Sequence, residues 1–268
     1  MRKLKFIFCS MINPLVVALV ASLLLIITSC ASIKKVEPSN AEEAFNEGVR
    51  LFEKADYLEA QTYFDLIKLQ YPASNFADAA QYYTAEISFK KKEYVLSSFH
   101  YGRVRTVYPG SKYAKDALYK SAYSQYLLSP TFDKDQDYTK KAIKTFQEYQ
   151  FYYNNKEDSL YKAASNMIQE LRDKLGEKDF RIAELYRIMD SPRAAIIYYD
   201  TVINEYADSS FFEPALFGKI ESLLLMQKTD EANMTIATYN KLFPNGKYSS
   251  QITNLVNANN SITNTDIK

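Results

Sequence analysis

The sequence predicts an all-α protein, a superhelix of about five stacked helix-turn-helix repeats. Three observations lead there. Glycine is scarce, six in 268 residues, about a third of the usual ~7%, which disfavours strand-rich folds with their turn glycines. An aromatic–proline junction recurs: Tyr71-Pro72-Ala73-Ser74-Asn75-Phe76-Ala77 returns 37 residues later as Tyr108-Pro109-Gly110-Ser111-Lys112-Tyr113-Ala114. Ahead of each junction a small residue is followed by large apolar ones at steps of four and three, the spacing of one helical face.

Residues 1–29 have the composition of a cleavable secretion signal. Arg2, Lys3 and Lys5 give a basic start, and Leu15 to Ile27 is an apolar run too short for the ~20 residues of a membrane span. The run ends in Ile27-Thr28-Ser29-Cys30, which resembles the bacterial lipobox and implies that Cys30 is lipidated, with palmitate among its acyl chains, and becomes the first mature residue. Cys9 would leave with the signal, so the mature chain would hold no disulfide. Loss of the three basic residues takes 33 cations to 30 against 32 anions, leaving no net field to attract nucleic acid. No Asp or acidic run follows Cys30, so the expected location is the periplasmic face of the outer membrane. Residues 30–40 are a polar tether spanning at most ~35 Å.

From Ala41 the repeats begin, at roughly 41–72, 77–109, 114–154, 176–207 and 211–244. Their junctions are Pro72, Pro109, Asn154, Ala207 and Pro244. The trios ahead of them are Ala60/Phe64/Ile67, Ser97/Tyr101/Val104, Ala142/Phe146/Tyr149, Ala195/Tyr199/Val202 and Ala232/Ile236/Tyr239. Small–aromatic–aliphatic–Pro at this spacing is the tetratricopeptide pattern, of period ~34 residues. Two insertions break the period. Residues 129–140 form an Asp-rich loop in which Asp137 is expected to cap the next helix. Residues 161–176 are expected to add an extra helix between repeats three and four. The resulting organisation is repeats one to three over 41–154, a carboxy-terminal part with repeats four and five over 155–250, and a flexible Asn/Thr/Ser-rich tail over 251–268.

Catalytic chemistry is missing from the pattern, and no enzyme activity, metal or cofactor is expected. Asp133-Lys134-Asp135-Gln136-Asp137 opens like a calcium loop, but Tyr138 and Lys144 stand where an EF-hand needs Gly and Glu. His100 is the only imidazole, on the second helix of repeat two. Lys90, Lys91 and Lys92 suit a helix C-terminus.

The candidate binding surface is a ladder on the first helices of repeats one to three. At the 37-residue step Phe45, Tyr82 and Tyr119 form one row and Phe52, Phe89 and Tyr126 a second, with Glu86 and Tyr123 between them. Such a face suits an extended or helical peptide with aromatic anchors if it is open; the alternative is that these residues pack between helices.

A lipobox, five repeats and these irregularities together resemble the BamD family, the lipoproteins of the outer-membrane β-barrel assembly machinery (the BAM complex). The resemblance runs from about Ala41 to Ser249. It rests on the junctions at 71 and 108, the Asp-rich insert followed by Tyr138 to Ile143, Glu170 to Leu175, and Ala183-Glu184-Leu185-Tyr186 leading to Ala194-Ala195-Ile196. It implies a scaffold whose carboxy-terminal repeats hold a BamA-like barrel-forming subunit. Its amino-terminal repeats would receive unfolded barrel substrates through an aromatic-ended strand signal. Ser191-Pro192 departs from the family's turn, and Tyr199 stands where members often carry Arg, so that Arg role is not carried over. The competing reading is another periplasmic repeat adaptor, serving cell division or peptidoglycan.

Overall fold

The computed structural model describes residues 38–265, with side chains to Asn259; the signal, Cys30 and most of the tether lie outside the described residues. Eleven helices follow: α1 (Ala41–Glu53), α2 (Tyr57–Gln70), α3 (Ala77–Lys90), α4 (Tyr94–Val107), α5 (Ala114–Leu127), α6 (Asp137–Tyr152), α7 (Ser159–Ile188), α8 (Pro192–Glu205), α9 (Phe212–Leu225), α10 (Thr229–Leu242) and α11 (Ser249–Thr265). The helices α1 to α10 each pack chiefly on their neighbours in sequence, and α11 packs back on α9. This is the stacked-pair superhelix that the repeat pattern predicts.

The trios form the seams. Ala60, Phe64 and Ile67, and likewise Tyr101 and Val104, Phe146 and Tyr149, and Tyr199 and Val202, are fully buried. In repeat five Ala232 and Tyr239 are fully buried while Ile236 is partly so.

The turns explain how a helical protein manages with so little glycine. In repeats one, two, four and five the first helix ends in a left-handed residue, namely Ala55, Lys92, Asp190 and Gln227 at φ of 60°, 61°, 53° and 57°. Each turn closes with paired bonds of the Schellman type: Asp56 N–H donates to Leu51 C=O and Ala55 N–H to Phe52 C=O, with equivalents at Glu93/Ser88, Ser191/Tyr186 and Lys228/Leu223. The sequence carries no Gly signal at any of them. The junction after α8 keeps its form without proline, since Ser209 N–H donates to Tyr206 C=O at 2.9 Å as Ser111 does to Tyr108.

Three expectations are corrected. Asp137 is not a cap: it is the first residue of α6, and its N–H donates to the Asp135 carboxylate at 3.0 Å. The organiser of this insert is Gln136, buried, whose amide donates to the Thr131 and Lys134 carbonyls and whose oxygen accepts from Thr139. The extra stretch before repeat four is not a separate helix. It runs unbroken into the repeat's first helix, giving the 30-residue α7, because no proline interrupts it and Gly176 serves close packing: a Cβ there would lie 2.8 Å from Ser209 Oγ. Ser249–Thr265, most of it expected to be a flexible tail, is also helical. Ile252 is buried, and Leu255 and Val256 pack beside it on the core of repeat five, so i, i+3, i+4 apolar spacing docks α11 while polar residues face outward. Among the described residues no helix is long and apolar enough to cross a membrane.

Candidate binding surface

All eight ladder residues are partly buried, and the structure divides them. Phe45, Tyr82 and Tyr119 sit against the second helix of their own repeat, with ring centroids 6.1 Å from Phe64, 5.9 Å from Tyr101 and 5.7 Å from Phe146. Phe45 and Tyr82 also meet the aromatic that opens the next repeat, Phe76 at 5.2 Å and Tyr113 at 4.6 Å. The same contacts recur at Phe180, with Tyr199 and Phe211, and at Phe217, with Tyr248. This row is therefore a packing seam through all five repeats. Sequence reasoning missed Phe180 and Phe217 because the insertions shift their register from the first three repeats.

Glu86 is likewise committed to the fold. It accepts from the Tyr101 phenol and from Lys120 Nζ at 2.6 Å. Lys120 also donates to Tyr82 Oη at 2.7 Å and pairs with Asp116 at 3.1 Å. Burial alone would lower the Lys120 pKa, but the hydrogen bond and charge of Glu86, with Asp116, raise it. Burial, reinforced by neighbouring carboxylates, pushes the Tyr82 and Tyr101 phenols well above their ordinary range. The network holds repeat two to repeat three.

The second row behaves differently. Phe52 packs on Tyr57 and Tyr83. Phe89 likewise packs on Tyr94 and Tyr101 of its own repeat, at 5.6 and 6.5 Å, and reaches across from α3 to Tyr123 on α5 at 6.0 Å. Along α5 the rings of Tyr119, Tyr123 and Tyr126 lie nearly parallel, each 11° from the next, at 6.4 and 5.9 Å. Tyr126 donates to Glu170 of α7 at 2.8 Å; burial first, and then Glu170, push its phenol up to about 12. Of the eight, Phe89 on α3 and Tyr123 and Tyr126 on α5 make one patch spanning two successive first helices.

Two clefts lie away from the ladder. One, of about 170 Å³, lies between the insert and α7, lined by Asp135, Gln136, Lys140, Lys178, Asp179 and Tyr206. The other, of about 330 Å³, lies among α7, α9 and α11, with Leu224, Leu225, Leu255 and Ala258 as its apolar wall and Arg187 and Glu221 at its edge. Neither was legible as a motif, because both are made where insert or terminal helix meets a repeat. His100 keeps a buried Nδ1 without a hydrogen-bond partner, and burial lowers its pKa. Among the described residues no group of three or more His, Cys, Asp or Glu side chains could hold a metal ion.

The comparisons with known proteins bear on what this surface serves. The family described as "YfiO: Outer membrane lipoprotein" matches residues 37–239. The outer membrane protein assembly factor BamD of Rickettsia prowazekii (strain Madrid E) is 26% identical over 212 residues, covering 79% of this chain and 84% of its own.

Proposed function

The chain belongs to the YfiO family of outer-membrane lipoproteins, and from that premise we propose that it is an assembly factor for outer-membrane proteins, acting as a scaffold without catalysis. The observation that carries the reading is similarity to an assembly factor over most of both chains. Anchoring falls to a lipidated Cys30 at the periplasmic face, after removal of residues 1–29. Repeats four and five hold a barrel-forming subunit, and the amino-terminal repeats receive unfolded barrel substrates. The receiving surface is narrower than the eight-residue ladder. Phe89, Tyr123 and Tyr126 remain its anchors, since adjoining, partly exposed rings, Tyr123 stacked on Tyr126 and Phe89 tilted against Tyr123, offer sequence-tolerant faces to an aromatic strand end.

Isolation from native membranes in mild detergent, with mass spectrometry of what accompanies the lipoprotein, tests the scaffold role. A stoichiometric outer-membrane barrel protein with periplasmic repeat domains is expected; a division or peptidoglycan complex in its place overturns the reading. For the receiving surface, Tyr123→Ser with Tyr126→Ser should weaken binding of an aromatic-ended barrel-strand peptide about tenfold while leaving helicity unchanged. Wild-type affinity would remove the surface from the proposal.

A further inference from the structure

The repeats contain three equivalent glutamates, and only two are satisfied. Glu86 on α3, Glu184 on α7 and Glu221 on α9 occupy the same repeat position, Glu184 and Glu221 being one 37-residue step apart. A tyrosine fifteen residues later donates its phenol to each of the first two, Tyr101 to Glu86 and Tyr199 to Glu184. Each also has a cation. Lys120, 34 residues on, reaches Glu86 from the next repeat, and Arg187 binds Glu184 through Nε and Nη2 at 3.2 and 2.8 Å. At Glu221 both donors are gone: the phenol position is Ile236 and the Lys120 position is Leu255. Glu221 makes no hydrogen bond or ion pair among the described residues, and burial raises its pKa. Arg187 acts on it only through space, its guanidinium being bound to Glu184. The half-buried carboxylate borders the cleft of about 330 Å³ whose wall is Leu224, Leu225 and Leu255.

We infer that this cleft is a docking site for a partner polypeptide segment that presents a Lys or Arg beside an aliphatic side chain. The cation takes the place that Lys120 fills at Glu86, and the aliphatic group enters the leucine wall. Charge complementarity selects the cation: Glu184, Arg187 and Glu221 together carry one net negative charge when ionised. The cleft has room for one or two side chains rather than a large ligand. The inference stands on the internal comparison of repeats and depends neither on lipidation nor on the aromatic surface.

The test uses the full chain in detergent with ¹³C-methyl-labelled leucines. It is titrated with the acetylated, amidated peptide Leu-Lys-Leu-Leu-Lys and with its control Leu-Gln-Leu-Leu-Gln. Saturable shifts at Leu224, Leu225 and Leu255 are expected with the lysine peptide, with binding about tenfold weaker for the glutamine peptide or for Glu221→Gln. Leu255→Lys, which restores the internal cation, should abolish binding. No saturable shift, equal binding of the two peptides, or full binding by Glu221→Gln overturns the proposal. Two other occupants would also overturn it. Concentration-dependent shifts of these methyls without peptide would assign the cleft to a second copy. Tighter peptide binding after deletion of residues 266–268 would assign it to the chain's own end.

Discussion

Gly48 is opposed by the ring of Phe64: a Cβ at 48 would come within 2.8 Å of Phe64 Cε1. The equivalent pairs are Ala85 with Tyr101, Ala122 with Phe146 and Ala183 with Tyr199, each sharing one core cluster. In repeat five the sizes change together, Ile220 standing with Ile236. The two positions therefore share one volume. Gly48→Val should cost about 1–3 kcal/mol by overpacking. Combined with Phe64→Ile it should be less destabilising than the sum of the single changes, with a coupling of at least about 0.5 kcal/mol. Urea denaturation of the four proteins measures this, and strict additivity would contradict a shared volume.

The left-handed turn residues give a prediction of opposite sign. Lys92 holds φ at 61° with its turn bonds made by backbone alone, a conformation that penalises a Cβ. Lys92→Gly should therefore stabilise the protein by about 0.5–1 kcal/mol, although glycine is a poor helix former, because position 92 lies just past the end of α3. A lower thermal midpoint would show that the lysine side chain contributes more than the turn strain costs.

These residues also show what a single sequence reveals. The repeat seams were legible because helix packing needs small and large groups at fixed steps, so Ala60, Phe64 and Ile67 and their counterparts declare themselves. The turns were not, because four non-glycine residues occupy the left-handed region where the expected punctuation is Gly. The ladder was half legible: periodicity placed Phe45, Tyr82 and Tyr119 on one face, but periodicity alone cannot tell an inter-helix seam from an open groove. The contacts with Phe64, Tyr101 and Phe146 decide it. The orphaned Glu221 was invisible because its meaning lies in the absence of partners that Glu86 and Glu184 possess, and that requires the register across the insertions.

A charged clamp holds the long α7 to the α8–α9 junction. Arg172 grips Asp208 in a bidentate pair at 2.5 and 2.7 Å and also donates to the Glu205 carbonyl, while Ser210 N–H donates to Asp173. The hydrogen bond from Arg172 holds the Asp208 carboxyl below the usual range. A depressed carboxylate stabilises the fold above its unfolded pKa, about 3.9, and that contribution is lost as pH falls through the folded value. Asp208 is 42% exposed, so solvent screening limits the gain to less than about 1 kcal/mol. Asp208→Asn should lower stability by that amount at pH 7, and the gap should close below about pH 3.9. A gap of constant size down to pH 2 would exclude the ion pair as its cause.

Glu184 and Glu221 should respond in opposite directions to one and the same change. For Glu184, burial opposes ionisation, but the hydrogen bonds from Arg187 and Tyr199 outweigh it and lower the pKa. Its stabilisation is present above the unfolded value of about 4.3 and is lost as pH falls through the lower folded one. For Glu221, burial wins and raises the pKa. Its contribution is then most favourable below about 4.3 and is lost as pH rises through the folded value, so at neutral pH the charge weakens the free protein. Glu184→Gln should cost about 1–2 kcal/mol at pH 7. Glu221→Gln should stabilise by up to about 1 kcal/mol there, with both differences shrinking toward pH 3.5. A charge that lowers the stability of the free fold is what a binding site for a partner would carry. Denaturant midpoints for the two variants at pH 7 and 3.5 decide the matter: a Glu221→Gln protein less stable than wild type at pH 7 would mean that the carboxylate already has its partner within the chain.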